Sequence, residues 1–386
     1  MYGFESHALR LLRNGRALRG AAVAATLLAA CARQPPTTPS ASAPEPSGER
    51  GYVAYVAHQP DQRDLWLYDV AMDRATQLTF DGDERFERDP AFLGDEVLYV
   101  ASDSESSRSS IEAISVAGAA PREIVREEGS ILGFGVSPDG STIAYLSFKY
   151  EGSTAHRLKL VDASGGRPSA VRTIGHVIGR GAGSDDEASV AWAPDGASIL
   201  VTDTHVSVDR TLGLFLLEPT GQDVAEPWAG THARWSPDGR TIYYRGHVET
   251  GDDSWFALDV ESRRTQAIGV RPGANNAVVS PDGSSIAYDT SSFGDHLRVR
   301  PRVPQAVYRY DLPSGPETLV AENAIAPLWI SGGEILVTDV TVPGPRANTL
   351  NSWEFAGTVT KVGEDGTWSA VAIASTSDAA ALLRQP

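Results

Sequence analysis

A four-residue pattern, Ser-Pro-Asp-Gly, recurs along this chain and constrains its fold more than any other feature. It stands at Ser137–Gly140, Ser236–Gly239 and Ser280–Gly283, and once with alanine in first place, at Ala193–Gly196. Proline presets φ at the first central position of a tight turn, aspartate suits the second, and glycine takes positive φ without steric penalty. An apolar run precedes each copy. Another follows two residues later: Ile143-Ala144-Tyr145, Ile199-Leu200-Val201, Ile242-Tyr243-Tyr244 and Ile286-Ala287-Tyr288. Two strands joined by such a turn form a hairpin.

The repeat extends beyond these copies to Val53-Ala54-Tyr55-Val56, Val97-Leu98-Tyr99-Val100 and Ile335-Leu336-Val337. The seven strands start at 53, 97, 143, 199, 242, 286 and 335, a mean spacing of 47. A four-stranded propeller blade takes roughly 40–50 residues. A third strand follows the second in several repeats, as at Leu65–Asp69, Leu158–Asp162, Trp255–Asp259 and Val307–Asp311. Weaker fourth strands follow at Thr76–Thr79, Glu123–Val125, Thr265–Ile268 and Thr318–Val320. Helical periodicity is absent. The pattern predicts an all-β chain folded as a β-propeller of seven blades, with six and eight as the neighbouring counts. The first repeat lacks an innermost strand, which the chain end or residues 46–51 would supply.

The chain before the repeats has a different character. Arg10, Arg13, Arg16 and Arg19 precede an apolar stretch, Ala21–Ala30, too short to span a bilayer and built like a secretory signal. It ends in Leu28-Ala29-Ala30-Cys31, around the only cysteine of the sequence. This ending resembles the lipobox of bacterial lipoproteins, and the resemblance implies lipidation of Cys31 and a membrane anchor. Residues 32–50 are rich in Pro, Ser, Ala and Thr and cannot form a core, which suits a tether. The expected divisions are therefore a signal at 1–31, a linker at 32–50, a propeller at 51–376 and a tail at 377–386.

The full repeat reads Ser-Pro-Asp-Gly, two residues, Ile-Ala-Tyr, loop, Leu-Tyr-x-x-Asp, turn, x-Gln-Leu-Thr. In this form it resembles the WD40-like repeat of the TolB family, with Asp64–Asp69 and Ala75–Thr79 an especially close copy. That resemblance covers residues 51 to about 340 and implies a propeller, commonly six-bladed in the family. The repeat is also similar to the lid of prolyl-oligopeptidase-like peptidases, but no Gly-x-Ser-x-Gly nucleophile elbow occurs.

Searches for other chemistry give nothing: no His-Glu-x-x-His, P-loop, paired cysteines or dinucleotide-binding glycine pattern. No cofactor, metal ligand set or catalytic residue is read from the sequence. The chain carries 50 acidic and 33 basic residues, a net charge of −17. Nucleic-acid binding rewards basic patches and is excluded on that ground.

In a propeller, the tight Pro-Asp-Gly turns lie on one face. The opposite face carries the second-to-third strand loops and the connections between blades. Here those segments are long: 101–110, 147–157, 174–187, 246–254, 290–306 and 339–352. His58, His156, His176, His205, His232, His247 and His296 all fall on that side, read as solvated loop residues rather than a metal cluster. The residues expected to ring the channel mouth start the inner strands: Asp89, Glu187, His232, Asn275 and Asn276. Trp192, Trp235 and Trp329 recur in the inner strands as blade-to-blade core. The functional expectation is a lipid-anchored, extracytoplasmic binding or scaffold module in a bacterial envelope, presenting its loop-rich face to a protein, peptide or glycan. The alternative is a metal-dependent lyase or hydrolase working in the channel mouth.

Overall fold

The computed structural model describes residues 51–59, 62–81, 85–103, 108–149, 155–176, 188–203, 213–247, 253–271, 273–290, 305–330, 334–339, 358–362, 368–370 and 379–382. The chain divides into Met1–Ser47 and Gly48–Pro386, and every described residue belongs to the second unit. The signal, Cys31 and the linker expected at 32–50 lie outside the described residues.

Among the described residues all regular elements are strands, and they follow one another as antiparallel ladders. The first ladder holds β1 (Tyr52–Gln59), β2 (Gln62–Asp69) and β3 (Arg74–Gln77). The second holds β4 (Arg85–Leu93), β5 (Glu96–Asp103), β6 (Ser109–Ser115) and β7 (Arg122–Glu127). The third holds β8 (Ser130–Val136), β9 (Thr142–Phe148), β10 (Ala155–Asp162) and β11 (Ser169–His176). The fourth holds β12 (Ala188–Trp192), β13 (Ile199–Asp203) and β14 (Leu214–Leu217), with isolated bridges from β14 to Asp223 and Trp228 in place of a fourth strand. The fifth holds β15 (Thr231–Trp235), β16 (Thr241–His247), β17 (Asp253–Asp259) and β18 (Thr265–Ala267). The sixth holds β19 (Asn275–Val279), β20 (Ser285–Asp289), β21 (Ala306–Asp311) and β22 (Glu317–Glu322). The seventh holds β23 (Ala324–Trp329), β24 (Ile335–Asp339), β25 (Thr358–Val362) and β26 (Trp368–Ala370).

A last strand, β27 (Ala379–Leu382), returns to pair antiparallel with β1, from Tyr52 opposite Leu382 to Tyr55 opposite Ala379. It supplies the innermost strand missing from the first repeat. The sheet thus reaches into the stretch set apart as a tail at 377–386.

The hydrogen bonding corrects the expected blade count. The strands form six sheets rather than seven, because one parallel bridge, Arg63 opposite Phe86, joins the first two ladders into an eight-stranded sheet. Packing runs across that bridge as it does elsewhere. Val56, Leu65 and Leu67 of the first ladder bury against Val97, Tyr99 and Ile114 of the second. Similar apolar clusters join each later ladder to the next, and Val53, Tyr55 and Tyr68 meet Ile330 and Leu336 where the last ladder closes on the first. The architecture is a β-propeller.

The repeated turn forms as its residues dictate. The glycine amide donates to the carbonyl three residues back, Gly239 to Ser236 at 2.9 Å for example. Pro and Asp are therefore the central residues, and the four glycines have φ between +70° and +73°. The serine hydroxyl donates to the aspartate at 2.6 Å in all three full copies and accepts the amide five residues on. The Ala193 copy lacks both bonds and keeps the backbone turn.

Candidate functional site: a strained polar rim on the inner strands

The inner strands share a defect. On β4, β15, β19 and β23, two residues oppose one on the neighbouring strand, so each carries a β-bulge. The first extra residue is in every case left-handed: Asp89 (φ +54°), His232 (+54°), Asn276 (+47°) and Ala326 (+50°). None is glycine, so each holds a conformation that costs an L-residue about 1–2 kcal/mol. Asp, Asn and His are the side chains that tolerate it best. Bulges of this kind re-aim side chains, and such strain concentrates at functional sites.

Three residues expected at the channel mouth, Asp89, His232 and Asn276, are therefore structurally equivalent. Asp89 and Asn276 are exposed, and His232 is half-buried with Nδ1 2.9 Å from the Thr231 hydroxyl. Asn275, the residue before the bulge on β19, is buried and accepts Arg245 Nη1 at 2.7 Å, so it braces the rim rather than facing a ligand. Glu187 lies outside the described residues, as do Asp185, Asp186 and most of the long loop segments.

Side-chain contacts brace consecutive inner strands at this level. Arg88 pairs with Asp89 and donates to the carbonyl of Ile131 on β8. Arg245 of the fifth ladder reaches Asn275 of the sixth. Asp289, fully buried, accepts Asn276 Nδ2 at 2.9 Å and the backbone amide of Ala326 at 2.7 Å. Between the third and fourth ladders the inner strands meet through bare backbone, since a Cβ on Gly135 would lie 2.5 Å from the Val190 carbonyl.

The tryptophans behave as core. Trp192, Trp235 and Trp329 donate their indole N–H groups to Gly135, Ala191 and Val278, at 3.1, 3.4 and 3.2 Å. Each acceptor lies on the inner strand of the preceding ladder.

The histidines need a correction. His156 is not a solvated loop residue: it is the second residue of β10, is 3 % exposed, and places Nδ1 2.5 Å from Asp203 Oδ2 of the next ladder. His58, His176 and His247 fall on β1, β11 and β16, while His205 and His296 lie outside the described residues. Among the described residues, no three His, Cys, Asp or Glu side chains are grouped to hold a metal ion.

The sequence reading missed Glu87 and Arg234. Glu87 on β4 is fully buried, with neither carboxylate oxygen hydrogen-bonded. Burial, and after it the neighbouring Asp81 carboxylate, raises its pKa to about 8. Arg234 on β15 carries charge where the other inner strands carry small or apolar residues, and that contrast was readable in the repeat.

No family model matches the chain, and no curated protein matches it. Solved structures do. An oligogalacturonate lyase from Vibrio parahaemolyticus is 14% identical at a TM-score of 0.55, covering 74% of this chain and 82% of its own. An oligogalacturonate lyase in complex with manganese is 17% identical at 0.53, covering 72% and 80%. TolB from Acinetobacter baumannii is 16% identical at 0.50, covering 86% and 82%. The chain has a TolB-like propeller fold. At these identities the likeness concerns fold alone.

Proposed function

We propose that this chain is a lipid-anchored, extracytoplasmic propeller that works as a non-catalytic binding module, engaging a protein, peptide or glycan at the rim of its channel. The observation that carries the reading is the set of equivalent bulges at Asp89, His232 and Asn276 on the inner strands. Such strain concentrates at functional sites, and the Asp289 and Arg88 contacts hold it in place. Rigid inner strands under a polar rim suit recognition.

Anchoring rests on Leu28-Ala29-Ala30-Cys31 and the linker after it. Cys31→Ser should release the protein from membranes or leave it unprocessed, and mass spectrometry of the mature N-terminus reads the lipid directly. An unmodified start elsewhere contradicts the anchor. The enzymatic alternative, a metal-dependent site in the same mouth, is separated by metal analysis of the purified full chain: stoichiometric metal lost in His232→Ala favours the enzyme.

A further inference from the structure

Five carboxyl groups are buried among the described residues, and four of them meet a donor. Asp64 accepts Gln77 Nε2 at 3.0 Å, and Glu112 accepts the Tyr99 hydroxyl at 3.1 Å. Asp203 meets His156, and Asp289 accepts Asn276 and the Ala326 amide. Glu87 is the fifth: it is fully buried, and neither of its oxygens has a hydrogen-bond partner. It lies in the seam between the first two ladders. It follows Phe86, which bridges to Arg63 on β2, and stands opposite Ala101 on β5. Ala101 belongs to the apolar cluster in which Leu65 and Leu67 of the first ladder meet Val97 and Tyr99 of the second.

The groups around Glu87 do not suit a carboxylate. Burial first, and then the charges of Asp81 and Asp64, favour its neutral acid and raise its pKa to about 8. Tyr99 donates its hydroxyl to Glu112, and Arg85 pairs with Glu112 and Asp81. β1 carries Tyr52, Tyr55 and His58, while β8 and β27, also packed on β4, carry no titratable residue. Residues 60–61 and 82–84, outside the described ones, include Asp61, Asp83 and Glu84 and no cation. A neutral acid fits this seam, whereas a carboxylate without donors is too costly to stay dry. Opening this seam wets the carboxylate; opening any other leaves it dry. The closed seam is therefore fully favoured below the ordinary carboxylate range, and that preference is lost as pH rises through about 8.

We propose that Glu87 is a pH-sensitive latch. Neutral, it keeps the seam between the first and second ladders closed; once its proton passes to solvent, that seam opens while the other ladders stay packed. The latch goes beyond the binding reading above and does not rest on it.

Three fully buried tyrosines give the test its internal controls. Tyr99 lies in the Glu87 seam, Tyr145 in the next, and Tyr288 between the fifth and sixth ladders. The whole chain is oxidised by hydroxyl radicals and the modified side chains are read by mass spectrometry. Between about pH 6 and about pH 9 the opening equilibrium should gain about tenfold or more. Tyr99 oxidation should rise with it, and Tyr145 and Tyr288 should not change. Glu87→Gln and Glu87→Met should remove the rise. Equal Tyr99 oxidation at both pH values, a rise in all three tyrosines together, or a rise that persists in a folded neutral variant overturns the proposal. The first two outcomes need wild type alone, so a variant that fails to fold leaves the test intact. Infrared difference spectra of wild type against Glu87→Gln at the lower pH should show the carbonyl stretch of a protonated acid. A carboxylate band there would mean that a cation such as Arg63 already receives Glu87, and would overturn the latch.

Discussion

Asp289 ties the backbone of Ala326 to the rim: its Oδ2 accepts the Ala326 amide at 2.7 Å across the boundary between the sixth and seventh ladders. The same oxygen accepts the side chain of Asn276, so one buried carboxylate holds two left-handed residues. Asp289→Ala strands a buried amide and frees Asn276, and should cost about 2–4 kcal/mol. Urea unfolding reads this. A loss below about 0.5 kcal/mol would show that the contact does not fix the rim.

Ala326 itself gives an inverted expectation. Alanine to glycine usually weakens a strand, but at φ +50° glycine removes the left-handed penalty. Ala326→Gly should be neutral or stabilising by up to about 1 kcal/mol, whereas Ala144→Gly, fully buried on β9, should destabilise.

On the turn face the sign is ordinary. Gly239 has φ +70°, and a Cβ there would lie 3.3 Å from Pro194 Cδ on the neighbouring turn. Gly239→Val should destabilise by about 2 kcal/mol, through backbone strain and displacement of that proline. Capture of a ligand at the opposite end should survive wherever the protein is folded.

Stability should decline at both ends of the pH scale. The pKa of Glu87 is raised to about 8, first by burial. The folded state therefore favours its neutral acid, and that stability is complete below the ordinary carboxylate range. It is lost as pH rises through about 8, on the order of several kcal/mol for a shift of this size. Asp139, Asp238 and Asp282 move the other way, held low first by the Ser137, Ser236 and Ser280 hydroxyls. Their contribution is present above the ordinary carboxylate range and lost as pH falls through the depressed values. Glu87→Gln should flatten the alkaline limb and leave the acid limb unchanged, as read by Tm against pH.

The sequence showed the turns and strands because their signals are local. Pro-Asp-Gly dictates backbone angles, and triplets such as Ile286-Ala287-Tyr288 announce buried strands. What it hid depends on partners far along the chain. His156 looked solvated because Asp203, which buries with it, is 47 residues away on the next ladder. The bridge between Arg63 and Phe86 that reduces seven sheets to six leaves no trace in a repeat count. The bulges were half legible: Asp89, His232 and Asn276 are residue types that accept left-handed backbone, while Ala326 is not. Arg234 could have been found by aligning the inner strands against one another.

The central claim is that the rim, and not the turn face, is the binding surface. The most direct measurement is capture from detergent-solubilised envelopes of the source cell by three immobilised forms of the folded protein: wild type, His232→Ala with Asn276→Ala, and Asp139→Lys with Asp282→Lys. Bound protein and glycan are identified by mass spectrometry. The account predicts a bound species retained by wild type and the turn-face variant and lost from the rim variant. Retention by the rim variant with loss from the turn-face variant would contradict it.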